Sequence, residues 1–244
     1  MKEKISKGIN LLDNNLQERI LGFREFEASY INAKLIGDKK KVLNIGCLWG
    51  RDYYFLKCLG KEVYNFDLGD QKLPNMNIGD ISKRTKFKYK EFDAILIGEV
   101  IEHLFEDVNA LKEIRRILKD DGKLILSVPY FDDDLAEFHV RMHSKNSIIR
   151  LLDYTGFKAE KHLFRGGVIS IPLITSFLKI IAKISPPLRM NILFFLAKLD
   201  FKLGERNYWF FKFSRSYGGY LLANKGRKID FVKINKVCFV DNRD

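Results

Sequence analysis

The chain has 244 residues, of which 46% are apolar and 13% aromatic, and a formal net charge of +12. Length and apolar share suffice for one large domain with its own core, which excludes a disordered chain. Cys47, Cys58 and Cys238 are too few and too scattered for a disulfide framework or a zinc site, no signal peptide stands out and no apolar run is long enough for a bilayer, so a cytoplasmic protein is expected.

In chain order, residues 1–36 repeat apolar positions at helical spacing (Ile5, Ile9, Leu12, Leu16, Ile20, Phe23), with Gly22 as a break. This predicts one or two helices ahead of the first strand, packed on a sheet or closing over a site as a lid. Residues 42–45 form an apolar run short enough for a buried strand. Gly46 and Gly50 follow, then a helical stretch over 52–59 that Gly60 stops, and a second strand over 63–66 ending on Asp67. Strand, glycine turn, helix, strand and terminal acid is the plan of a nucleotide-binding βαβ unit. Its glycines allow a sharp bend and close approach of a ligand, and a carboxylate at the second strand's tip suits a ribose diol. A dinucleotide site would need a third glycine, and Leu48 and Trp49 are bulky for a phosphate cradle.

A loop with Gly69 and Pro74 leads to Gly79-Asp80-Ile81. Residues 94–97 are continuously apolar, as in a central parallel strand covered on both faces. Gly98-Glu99 ends that strand, and Glu102-His103 lies just beyond. An amphipathic helix over 108–118 is broken by Asp121-Gly122, and a strand over 123–128 ends at Pro129. After His139, Arg141 and Ser144 a helix runs through Tyr154, Gly156 stops it, and strands follow over 157–163 and 217–223.

The string Glu99-Val100-Ile101-Glu102-His103-Leu104, one strand downstream of Gly79-Asp80-Ile81, resembles the class I S-adenosylmethionine-dependent methyltransferases. The similarity is to the small-molecule group that includes the ubiquinone-biosynthesis O-methyltransferases, and it spans about residues 40–165 plus the last strand. The turn Asn44-Ile45-Gly46-Cys47-Leu48-Trp49-Gly50 resembles the family's first motif with two departures, Asn44 for an Asp and Leu48 for a Gly. The resemblance implies an α/β fold: a doubly wound, mainly parallel, seven-stranded Rossmann-like sheet with an antiparallel last strand. Residues 37–164 and 217–228 would form its core, 1–36 the N-terminal helices, 165–216 a helical insertion and 229–244 a tail. The implied cofactor is S-adenosylmethionine. Gly46, Cys47 and Gly50 would hold its methionine part, with Asn44 still able to accept a hydrogen bond there. Asp67 beside Leu68 would take the ribose, Asp80 and Ile81 the adenine, and Glu99 would sit near the sulfonium.

Methyl transfer from a sulfonium is an in-line displacement that asks for positioning, dryness and, for a hydroxyl acceptor, a base. His103 is the candidate base because its ordinary pKa lies near neutrality, and Glu99 is the second catalytic candidate. The alternative is a helix-start histidine bonded to the backbone or to Glu102. No metal is assigned. The spacing of Glu99, Glu102 and His103, with His139, nevertheless offers mixed O/N ligands for a divalent cation, which some methyltransferases of similar pattern use.

The basic charge sits late in the chain: residues 161–228 hold 13 Lys/Arg against 2 Asp/Glu, while residues 1–160 hold 27 against 26. Within that segment, 173–184 and 188–203 each set an apolar face against a polar stripe (Ser176, Lys179, Lys183; Asn191, Lys198, Lys202). Tyr208-Trp209-Phe210-Phe211 follow beside Arg206, Lys212 and Arg215. This is the composition of a helix pair in a membrane interface, so an anionic membrane surface is an expected partner of residues 168–213, making the protein peripheral there. The same segment would also serve as a cover for an apolar substrate, an interface between copies, or plain packing. The lysines alternate with aliphatic runs rather than lining a polar groove, so nucleic acid is not the expected partner. The expected activity is methyl transfer to an oxygen of a lipid-like, quinone-like or glycan acceptor. An RNA methyltransferase and a non-catalytic binding module for the same cofactor are the alternatives. Acceptor identity and oligomeric state are open.

Overall fold

The computed structural model describes residues 1–130, 138–165, 186–205 and 218–226. Three helices come first, α1 (Lys2–Ile9), α2 (Asn14–Ile20) and α3 (Phe23–Ile36), where the spacing predicts one or two. Gly22 is one break. The other is Asp13, whose carboxylate accepts the Leu16 N–H at 2.9 Å and caps α2. Then follow β1 (Lys41–Ile45), α4 (Arg51–Cys58), β2 (Glu62–Asp67), β3 (Met76–Ile78) and β4 (Phe92–Gly98). A 3-10 turn (Ile101–His103) leads to α5 (Asp107–Ile117), β5 (Leu118–Val128), α6 (Lys145–Tyr154), β6 (Phe157–Phe164), α7 (Pro186–Glu205) and β7 (Gly219–Lys225).

The seven strands make one sheet in the order β3-β2-β1-β4-β5-β7-β6, parallel except for β7, which runs antiparallel to both neighbours. The winding reverses between β1 and β4, so a crevice opens there beyond the carboxyl ends of the strands. Alternate residues of the central strands enter opposite cores. Val42, Ala94, Leu96, Ile125 and Tyr220 meet α3, α4 and α7. Leu43, Ile95, Ile97, Leu126 and Leu221 meet α5 and α6. Burial on both faces explains the unbroken apolar run of β4.

Of the N-terminal helices, α3 reaches the sheet at β5, while α1 packs on α4 and α2 on α3 and α4; Ile5, Ile9, Ile20 and Phe26 are fully buried there. Phe26 meets Phe55 and Phe194 edge-on at centroid distances of 5.4 and 5.0 Å. Met190, Leu193, Phe194 and Ala197 of α7 are buried against this layer, leaving Leu188, Asn191, Phe195, Lys198 and Lys202 exposed. The apolar face that the sequence offers to a membrane is therefore used for the protein's own core in α7. The helix expected over 173–184 and the aromatics at 208–211 lie outside the described residues. Among the described residues no helix is long and apolar enough to cross a membrane.

Candidate functional site

The turn after β1 is shaped by backbone geometry. Gly46 has φ +70°, and a Cβ on it would meet Val100 Cγ2 at 2.2 Å, so only glycine fits. Its N–H donates to Phe66 O at 2.9 Å, which ties the turn to the end of β2. Leu48, in the place of the family's glycine, also adopts the left-handed region at φ +43° and is 64% exposed. Trp49 turns away from the crevice, where Arg19 lies 4.2 Å over its ring.

A cavity of about 300 Å³ opens at the crevice, at the small end of the range typical of ligand pockets. Gly46, Leu48, Asp67 and Leu68 form one wall, Asp80 and Ile81 a second, and Glu99, Val100, His103 and Leu104 a third. The Asp67 carboxylate accepts the Leu48 N–H at 3.2 Å and the Leu68 N–H at 2.8 Å, which fixes its orientation before any ligand arrives. Asp80 accepts the Ser82 N–H at 2.9 Å and the Ser82 hydroxyl at 2.5 Å, and the hydroxyl bond holds its carboxyl below the usual range.

Three expected cofactor residues, Asn44, Cys47 and Gly50, stand outside this lining. Asn44 is buried in the sheet and donates to Asn65 Oδ1 at 3.3 Å, so it ties β1 to β2. Gly50, at φ +89°, caps α4 and lies against Leu73. Cys47 lies behind Asp67, its Sγ 3.8 Å from Oδ2, and burial followed by that charge pushes the thiol up to about 12. It is a neutral packing group.

Glu99 adopts φ +55°, a conformation uncommon outside glycine. Its Oε1 accepts the Ser127 hydroxyl at 3.0 Å and the Arg165 guanidinium at 2.8 Å. Arg165 reaches it from beyond β6, two strands away from β5 in the sheet order, and local spacing carried no sign of that partnership. Leu48, noted in the sequence only as a bulky departure from the motif, lines the cavity, as do Val100 and Leu104, to which the sequence gave no role.

His103 is exposed, and its Nδ1 lies 2.9 Å from the Phe138 carbonyl. A carbonyl only accepts, so Nδ1 carries the proton and Nε2 presents the lone pair. Glu102 is 1% exposed, and neither carboxylate oxygen has a hydrogen-bond partner among the described residues. Burial, then the charge of Glu99, pushes its carboxyl up to about 8. Ligand atoms of Glu102, His103 and His139 all lie within 4.8 Å of one another. Of the four residues considered for a cation, Glu99 alone is drawn away, by Ser127 and Arg165.

The geometry agrees with what the chain resembles in other proteins. A family of methyltransferase domains matches residues 43–126. An uncharacterised protein of Methanocaldococcus jannaschii is 32% identical over 206 residues, covering 81% of this chain and 84% of the relative. A S-adenosylmethionine-dependent methyltransferase from Archaeoglobus fulgidus shares the fold at TM-score 0.56 and 17% identity, over 84% of this chain and 95% of that one. The Burkholderia thailandensis 1,6-didemethyltoxoflavin N1-methyltransferase, solved with S-adenosylhomocysteine and its acceptor bound, shares it at TM-score 0.54 and 19% identity, over 83% and 78% of the two chains.

Proposed function

The chain belongs to the class I S-adenosylmethionine-dependent methyltransferases, and from that premise we propose that it methylates an oxygen of an apolar, lipid-like, quinone-like or glycan acceptor, as in the ubiquinone-biosynthesis group. The observation that carries the donor site is Asp67, held by two backbone N–H groups at the wall of a cavity floored by glycine. Those residues fit an adenosyl ligand. Asp67 would take the ribose hydroxyls, Asp80 and Ile81 the adenine edge and face, and Gly46 would admit the sulfonium side. When bound, the donor supplies an activated methyl group on a positively charged sulfur. The chain's own part is to orient that group, to keep Glu99 near it as a fixed negative charge, and to exclude water. His103 Nε2 would accept the proton of an acceptor hydroxyl, with Nδ1–H anchored on Phe138 O. Exposed Phe105 and Phe138 flank that histidine, the first in sequence and the second by contact, and support an apolar acceptor.

A second reading is favoured by Glu102, a buried carboxylate without a partner among the described residues. With His103 and His139 it would hold a divalent cation, which would orient the acceptor oxygen and lower its pKa. The test is equilibrium titration with S-adenosylhomocysteine, then label transfer from S-adenosylmethionine to a panel of apolar phenols, alcohols and RNA, with and without chelator. Expected are a loss of at least tenfold in affinity for Asp67→Ala and label on the phenols or alcohols. Unchanged affinity in the variant would overturn the donor site, and label on RNA alone would overturn the acceptor class.

A further inference from the structure

A crossover between parallel strands ordinarily covers the sheet with a helix, as α4 and α5 do between their strands. The crossover from β3 to β4, residues 79–91, forms no helix. It is a loop held down by α5. Glu113 Oε1 accepts the Thr85 N–H at 2.9 Å and the Thr85 hydroxyl at 2.6 Å, and Arg116 donates to Phe87 O at 2.9 Å. A second cavity, of about 530 Å³, lies between this loop and the edge strand β3, and it adjoins the crevice cavity at Phe66, Gly79 and Asp80.

Its lining has two parts. Phe66, Met76, Ile78 and Phe87 are apolar, and Lys83, Arg84 and Lys86 are cationic. Asp80 is the one carboxylate in the lining, and it is already engaged by the Ser82 N–H and hydroxyl and by Lys83 at 3.6 Å. Arg84 and Lys86 are exposed and belong to no ion pair among the described residues. Thr85 is bound to Glu113 between them, so the backbone that carries both cations is fixed before anything binds.

We propose that this second cavity binds a phosphorylated small molecule with an apolar body, of the class of a nucleoside diphosphate, at a site separate from the methyl donor. The apolar body rests on Phe66 and Phe87, and the phosphates meet Arg84 and Lys86. A guanidinium takes two phosphate oxygens at once, and the lysine adds a point charge. The volume lies within the range of small-molecule sites, whereas an inorganic anion alone would leave the apolar part unfilled. A polymer would need the positive charge to run on along the surface, but Lys90, farther along the loop, is tied to Asp120.

The experiment titrates the whole protein with ADP, with adenosine and with a short single-stranded RNA, the ADP arm also at saturating S-adenosylhomocysteine. Expected is ADP binding at least tenfold tighter than adenosine, kept within about twofold at saturating S-adenosylhomocysteine and in Asp67→Ala. The double variant Arg84→Ala, Lys86→Ala is expected to weaken ADP about tenfold or more, with S-adenosylhomocysteine affinity and ligand-free thermal unfolding unchanged. ADP affinity equal in parent and double variant, or no ADP binding by the parent, would overturn the proposal. Displacement of ADP by S-adenosylhomocysteine, or its loss in Asp67→Ala, would overturn it by placing ADP in the crevice cavity. RNA that binds more tightly than ADP and displaces it would overturn it in favour of a nucleic-acid surface.

Discussion

Glutamine in place of Glu102 isolates one buried proton. The carboxyl titrates at about 8 in the folded chain against 4.5 for an ordinary glutamate, and burial is the main cause. The folded state therefore keeps a proton that the unfolded state releases. Below about pH 4.5 both states hold it, and parent and Glu102→Gln differ only by packing. As pH rises towards 8, the unfolded chain alone ionises, so the parent loses stability by at most about 1.4 kcal/mol per pH unit. Across the whole interval the ceiling is roughly 4–5 kcal/mol, and a loss of a few kcal/mol is the expected size. Above pH 8 the difference levels off because both states are ionised. The assay is urea unfolding of chelated parent and variant from pH 5 to pH 9. Glu102→Gln should gain steadily on the parent up to about pH 8. A gap that stays constant within about 0.5 kcal/mol from pH 5 to pH 8 would refute the reasoning.

Gly46→Ala should lower stability by about 2–3 kcal/mol, since the new methyl meets Val100 Cγ2 at 2.2 Å in a left-handed backbone; Val100→Ala in the same chain should restore only part of it, and full rescue would show that the backbone conformation is unstrained. Phe194→Ala should cost about 3–5 kcal/mol, whereas Phe195→Ala, at a site 66% exposed, should cost under about 0.5 kcal/mol. Equal costs in chemical unfolding would mean that α7 does not dock on α3 through Phe194. If Glu102, His103 and His139 hold a cation, Zn²⁺ or Mn²⁺ titration should show one site, lost or weakened at least tenfold in His139→Ala. Equal uptake by parent and variant would refute that grouping.

Much of the fold was legible because its signals are local. The runs in β1, β2 and β4 are apolar on both faces, and Gly46, Gly60 and Gly156 mark where the chain turns. The three residues of β3 are too few to show a period, so that edge strand emerged only in three dimensions. Asp67, Asp80 and Glu99 were legible at the site because each ends or follows a strand at the crevice. Asn44, Cys47 and Gly50 occupy the expected motif positions, yet strand alternation and the turn set their side chains or backbone behind the wall. Motif spacing cannot see that. Nor could it see Arg165 meeting Glu99, a contact made across β5 and β7, or the burial of Glu102. The amphipathic pattern of α7 is equally suited to lipid and to another helix, because hydrophobicity does not record which apolar partner fills it.

The pairing of Phe164 with Gly219 has a wider consequence. The chain leaves the sheet at Phe164 and rejoins it at Gly219, pinned there by the Arg165 N–H to Gly218 O bond at 3.0 Å, on the same rim as Glu99. The residues that line the cavity come earlier, from Ile45 to Leu104. Lengthening the excursion adds closure entropy only logarithmically, since its two ends are already fixed together. Selection can therefore change the length of that excursion without retouching the residues that line the cavity.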